Sequence, residues 1–99
     1  MDDRELLIML YDYYGELFSK EQKEFFEWYY FDNLSLGEIS EITNKSRNAI
    51  HSMIKRVSDK LLYYENVLKL YKKSKMFMKI INDIEDRDIK NKLEELYEE

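Results

Sequence analysis

Residues 34–57 read Leu34-Ser35-Leu36-Gly37-Glu38-Ile39-Ser40-Glu41-Ile42-Thr43-Asn44-Lys45-Ser46-Arg47-Asn48-Ala49-Ile50-His51-Ser52-Met53-Ile54-Lys55-Arg56-Val57. The stretch spells two helices and a tight joint. Ser35-Leu36-Gly37-Glu38 is a capping box: the Ser hydroxyl satisfies an unpaired N–H at the helix start, and Glu three residues on returns the favour. The helix it opens is short, roughly Ser35 to Ile42. Thr43-Asn44-Lys45 is the turn, where Asn44 tolerates a left-handed backbone. Ser46 caps the next helix. Two helices crossing steeply at such a joint need a few buried anchors. Leu36, Ile39 and Ile42 are the expected anchors of the first helix. Ala49, Ile50, Ile54 and Val57 are those of the second, with Ala49 small where the helices approach.

Reading toward the N-terminus, Leu6, Leu10, Tyr13, Tyr14 and Leu17 recur at helical spacing, so a helix is expected from about Arg4 to Phe18. Ser19-Lys20-Glu21-Gln22 is a second capping box. It opens a helix carrying Phe25, Phe26, Trp28, Tyr29, Tyr30 and Phe31 that ends near Asp32-Asn33. Reading toward the C-terminus, Ile50, Ile54, Val57, Leu61, Tyr64, Leu68 and Tyr71 alternate steps of four and three. That is a heptad seam, which either packs within the chain or pairs with a second copy. Beyond it the apolar stripe drifts to Val67, Leu70, Phe77, Ile81 and Ile84. No Gly or Pro lies between Ser46 and Ile84, so one long helix or two with a soft join both fit. A break is expected at Asp86 to Asp88, before a last helix with Ile89, Leu93, Leu96 and Tyr97. The expected fold is all-α: a single domain over residues 1–99, with a helix-turn-helix core at about 19–60 and a long helix with a C-terminal helical extension at about 46–99.

Composition agrees. The chain of 99 residues has two glycines, no proline and no cysteine. Sheet proteins need turns, and turns lean on Gly and Pro. Without cysteine there are no disulfides, thiolates or cysteine-based metal sites. The opening Met1-Asp2-Asp3 is acidic and no apolar run reaches the length of a membrane span, so the expectation is a cytoplasmic protein without membrane insertion. The formal net charge of -5 disfavours a polyanionic partner, but its distribution does not. Residues 1–42 hold 3 basic and 11 acidic side chains, whereas residues 43–82 hold 10 basic and 2 acidic. Residues 83–99 are again acidic. A local basic stripe can hold phosphate on an acidic protein; the plainer reading is a solvated face that balances acidic neighbours.

The second helix of the quoted stretch turns Arg47, Asn48, His51, Ser52, Lys55 and Arg56 outward, with Ser46 at its start and Lys60 one turn further on. In a recognition helix, N-terminal side chains reach base edges and flanking cations hold phosphate. Asn48 suits an adenine edge and Arg47 a guanine edge. Lys55, Arg56 and Lys60 suit phosphate. Helix pairs that touch no nucleic acid share this pattern. Enzyme chemistry finds little footing: His51 is the sole histidine, has no nucleophile beside it in sequence, and lacks companions for a metal. Neither glycine belongs to a phosphate loop. No cofactor, metal or small-molecule substrate is expected. The aromatic residues of the first two helices fit a core or a platform for stacking bases.

Residues 34–57 resemble region four of the bacterial sigma factors. The wider chain resembles the YlxM-like family of small helix-turn-helix proteins. That resemblance rests on Tyr11-Asp12-Tyr13-Tyr14, on the string from Tyr29 through Asp32-Asn33-Leu34-Ser35-Leu36-Gly37-Glu38 to Ile39, and on Ser46-Arg47, Ala49-Ile50 and Ile54-Lys55-Arg56. It spans about the first two-thirds of the chain. It implies a regulatory role in the signal recognition particle pathway and no enzymatic activity. The expected partners are the particle's RNA or DNA and the particle's GTPase; the heptad seam, which a monomer of this length would leave exposed, adds a second copy of the chain. A DNA-binding transcription regulator and a protein-interaction adaptor are the competing readings. The sequence departs from the family pattern twice. The recognition helix reads Ser46-Arg47-Asn48-Ala49-Ile50-His51-Ser52-Met53 where the family usually has Ser-Arg-Gln-Ala-Val-Tyr-Asp-Asn; Ser52 removes an acid and favours phosphate. Lys45 occupies a position that is usually apolar, leaving its stem to cover the joint or the joint looser.

Overall fold

A computed structural model describes residues 3–98, and all of its regular structure is helical. Helix α1 spans Asp3–Tyr14 and runs into a single 3-10 turn, Gly15–Leu17; α2 spans Lys20–Tyr30, α3 Leu36–Thr43, α4 Arg47–Leu68, α5 Leu70–Asn82 and α6 Arg87–Glu98. The chain divides into two units, residues 1–68 and residues 69–99.

The first unit is organised around α4, which packs against α1, α2 and α3. Its Ile50, Ile54, Val57 and Leu61 are buried, as the heptad spacing requires of one face. Ile50 and Ile54 meet Phe25 of α2 and Ile39 of α3, with Trp28, Tyr29, Tyr30, Leu34, Leu36 and Met53 packed around them. Burying each such side chain stabilises the fold by about 1.5–3 kcal/mol. The aromatic residues are therefore largely structural. Tyr11 stacks on Phe26 with ring centroids 4.4 Å apart, and Tyr64 packs against Tyr14 and Phe18 at 5.9 Å each. The Tyr14 hydroxyl donates to Glu65 Oε1 at 2.6 Å, tying α1 to α4. Gly15 is needed for close approach: a Cβ there would lie 3.2 Å from the Tyr11 ring. Burial raises the Tyr11 phenol above its ordinary pKa, and its 2.7 Å hydrogen bond to the Glu27 carboxylate raises it further.

Local sequence rules set the helix ends. Both capping boxes form. Ser19 Oγ accepts from the Gln22 N–H at 3.2 Å while the Ser19 N–H donates to Gln22 Oε1 at 2.9 Å; Ser35 and Glu38 repeat the exchange at 3.1 Å each way. Between α2 and α3, Asn33 takes a left-handed backbone (φ 56°). There Arg4, far away in sequence, donates to the Tyr30 carbonyl at 2.7 Å and to Asn33 Oδ1, with its guanidinium 5.3 Å from the Tyr30 ring centre. A cation at a helix C-terminus satisfies open carbonyls and opposes the helix dipole.

Two expectations need correction. Ile42 is 58% exposed and Ala49 is exposed, so neither anchors the joint. Ile39 and Ile50 fill the space between α3 and α4, and one residue of rotation, 100°, carries Ala49 off that face. The heptad seam also ends early. Lys69 adopts a left-handed backbone (φ 57°), which stops α4 at Leu68 and restarts the chain as α5. Leu68 is 44% exposed and Tyr71 belongs to the second unit, so the register from Ile50 to Tyr71 is interrupted.

In the second unit α5 and α6 pack against each other. Phe77 and Tyr97 stack with centroids 6.2 Å apart, and the Ser74 and Tyr97 hydroxyls share a hydrogen bond. Asp86 caps α6 by accepting from the N–H groups of Asp88 and Ile89 at 3.0 and 3.1 Å. The expected break near Asp86 is thus real. No helix among the described residues is long and apolar enough to cross a membrane.

Candidate nucleic-acid interface

The joint between α3 and α4 orients the candidate site. Asn44 closes α3 in the left-handed conformation (φ 60°), and its N–H still reaches the Ser40 carbonyl at 2.8 Å. Hydroxyls lock the turn. Ser40 Oγ donates to the Lys45 carbonyl at 2.7 Å, Thr43 Oγ1 donates to the Ile39 carbonyl at 2.8 Å, and the Lys45 N–H donates to Thr43 Oγ1 at 3.2 Å. Lys45 is exposed. The turn is thus held by hydrogen bonds at the position where an apolar residue was expected, and the Lys45 ammonium is left to solvent.

Ser46 starts α4. Its Oγ accepts from the Ala49 N–H at 3.1 Å, and its carbonyl accepts from the Ile50 N–H at the same distance. Its acceptor role is therefore taken up by the cap. Arg47, Asn48, His51, Ser52, Lys55, Arg56 and Lys60 are all exposed. At 100° per residue, Asn48, Ser52, Lys55 and Arg56 lie opposite the buried stripe of Ile50, Ile54, Val57 and Leu61, while Arg47 and His51 take one flank and Lys60 the other. These polar candidates are thus exposed around the outer side and both flanks of α4. Of the candidate seam residues, Ile54, Val57 and Leu61 are in the first unit's core and Tyr64 is half-buried against Tyr14 and Phe18.

The cations differ in availability. Arg47 folds back over α3, where its Nη2 would lie 3.0 Å from a Cβ at Gly37. Gly37 gives it room. Lys60 Nζ rests 5.8 Å from the Tyr64 ring centre. Lys55 pairs with Asp59 one turn on, at 3.3 Å, with both side chains about two-thirds exposed. Such a surface pair contributes little to stability. Its effect on the site is larger, because Asp59 lies on the same outer side and sets a negative charge among the cations. His51 lines a groove shared with Tyr29, Tyr30, Ile54 and Asp59. Among the described residues, no group of three or more acidic or histidine side chains is placed to hold a metal ion.

Reading the sequence alone overlooked Ser40, Thr43 and Asp59. Hydroxyls one turn from a helix end, bonding back to the main chain, are a recognisable signal for the first two. Asp59 was legible as the i+4 partner of Lys55.

A UPF0122 protein of Caldanaerobacter subterraneus subsp. tengcongensis is 45% identical over 85 residues, covering 86% of this chain and 73% of the relative. One from Clostridium novyi is 43% identical, covering 97% and 93%. A Ureaplasma urealyticum relative is 38% identical, covering 91% of each chain. The family described as "Putative helix-turn-helix protein, YlxM / p13 like" matches residues 1–99. By the match over its whole length and by these relatives, the chain belongs to the UPF0122 family of YlxM-like helix-turn-helix proteins.

Proposed function

We propose that this protein is a regulatory nucleic-acid-binding protein of the signal recognition particle pathway, acting through a helix-turn-helix of the sigma-region-four type, and that it is not an enzyme. The observation that carries the reading is the split of α4 into a buried stripe and an exposed side bearing Arg47, Asn48, His51, Ser52, Lys55 and Arg56. A rigid helix with that division can lay polar side chains against a nucleic-acid groove while its back is held by α1, α2 and α3. Arg47 and Asn48, at the N-terminal end, contact base edges; Lys55, Arg56 and Lys60 contact phosphate; Ser46 holds the cap. The partner is the particle's RNA, with the particle's GTPase as a protein contact. A second copy of the chain presents a second recognition helix. Membership of the YlxM-like family supports the pathway.

The test is fluorescence anisotropy against labelled particle RNA, a random DNA duplex and an unrelated structured RNA, at low and near-physiological salt. Preference for the particle RNA that survives salt is the expected result. Strong preference for one duplex sequence would transfer the reading to a DNA regulator. Weak binding to all three that salt abolishes would leave a protein adaptor.

A further inference from the structure

We infer that the groove between the end of α2 and one flank of α4 holds a single unpaired nucleobase of an RNA partner. The inference deepens the proposed function and rests on its reading of that partner as RNA. With its side chains a helix is about 10–12 Å across. Duplex RNA has a deep, narrow major groove that side chains do not read, and sequence-specific recognition falls on loops and bulges whose bases splay out onto aromatic rings. The base edges that α4 reads in an RNA are therefore unpaired ones, and an unpaired base needs a ring to stack on.

The groove supplies that ring. His51, Ile54, Lys55 and Ser58 line it from α4, spaced as one face of a helix, and Tyr29 and Tyr30 line it from α2. Tyr30 is already committed: its ring centre lies 4.6 Å from that of Phe26 and 5.3 Å from the Arg4 guanidinium. Tyr29 packs against the core around Phe25 and Ile39 yet stays half-buried, perpendicular to Tyr30 at 5.0 Å. Packing thus fixes the Tyr29 ring before any ligand arrives, which spares the cost of ordering it. His51 is exposed and brings a second flat ring from the α4 wall.

Size and charge select the occupant. The groove's volume of about 280 Å³ lies just below the range of pockets that take drug-sized molecules, and it suits one ring system. Asp3 and Asp59 also line it, so a phosphate is repelled from its interior. A nucleobase is flat, uncharged and edged with N–H groups that a carboxylate accepts. Lys55 stands at the rim, between this flank and the outer side of α4, where it holds the phosphate of the nucleotide that turns in.

The test is fluorescence anisotropy at low salt with two labelled RNA hairpins of one stem. One carries a loop of mixed sequence; in the other the same loop is abasic, which keeps the phosphates and removes the bases. Wild type is expected to bind the base-bearing loop about 5- to 150-fold tighter, the range that stacking one base on an aromatic ring provides. Tyr29→Leu and His51→Ala should each lose part or most of that difference and keep the wild-type salt slope, because stacking releases no counterions. Lys55→Ala should instead flatten the slope on both hairpins. Tyr29→Phe keeps the ring and should bind as wild type does, which separates stacking from a packing defect. Equal binding of the two hairpins, or a preference untouched by both Tyr29→Leu and His51→Ala, would overturn the inference and leave the nucleic-acid reading of α4 in place. Binding to neither hairpin would overturn both.

Discussion

Asp59→Asn should tighten nucleic-acid binding. Asp59 sits on the outer side of α4, 3.3 Å from Lys55 Nζ. Its carboxylate repels phosphate and holds an ammonium that would otherwise neutralise one. Freeing Lys55 adds up to one phosphate contact. Each such contact changes binding as about the -0.9 power of salt concentration, so one contact corresponds to about 8-fold at 0.1 M and about 4-fold at 0.2 M. These are upper values, because the pair is exposed and already screened in part. The fold should not notice, since an exposed i,i+4 pair contributes about 0.3–0.5 kcal/mol. Anisotropy titrations over a salt series read the effect, with Lys55→Ala in the Asp59→Asn background as control. Tighter binding, a steeper salt slope, and loss of both in the double variant are expected. Unchanged affinity and slope, or weaker binding, would refute the placement of phosphate beside Lys55.

Other perturbations report on the frame that holds the site. Gly15→Ala pushes a methyl against the Tyr11 ring, which is wedged against Phe26, and should cost about 1–3 kcal/mol in urea denaturation. Gly37→Ala meets only the mobile tip of Arg47, so the gain in helix propensity should prevail and raise stability by about 0.5–1 kcal/mol. At the left-handed Asn44, Gly should be tolerated, whereas Val should lower the thermal midpoint through a strain of about 1–2 kcal/mol. Tyr11 stays neutral in the fold at a pH where the unfolded chain ionises it. Its contribution to stability is therefore intact below about pH 10 and lost as pH rises above that. Tyr11→Phe should show a shallower alkaline fall in the urea midpoint than wild type; equal falls would exclude Tyr11 as the cause.

Local features were the legible ones. The capping boxes at Ser19 and Ser35, the left-handed Asn44 and the cap at Ser46 all follow from side chains reaching main-chain groups a few residues away. Such rules need no tertiary information. The division of α4 followed from periodicity. What escaped depends on distance or on rotation. The Arg4 cap on α2 joins residues that only the folded chain brings together. Ile42 and Ala49 are apolar and near the joint, yet each is rotated off the contact by the helices that Ile39 and Ile50 orient.

The break at Lys69 had no local signal. Lysine has no preference for a left-handed backbone, and the four-three spacing runs on through Leu68 to Tyr71. Pattern alone extends a helix wherever the pattern continues. The candidate site was legible as a set of outward residues. Their unequal availability was not, because Arg47 resting over Gly37, Lys60 over Tyr64 and Lys55 on Asp59 are properties of the folded surface.

The central claim is that nucleic acid meets the outer side of α4. Amide chemical-shift mapping of the isotope-labelled chain during titration with the particle RNA addresses it residue by residue. The prediction is that shifts concentrate at Arg47, Asn48, His51, Ser52, Lys55 and Arg56 and at the turn of Asn44 to Ser46. Shifts confined to the lysines of α5, Lys72 to Lys79, with α4 unmoved, would contradict it.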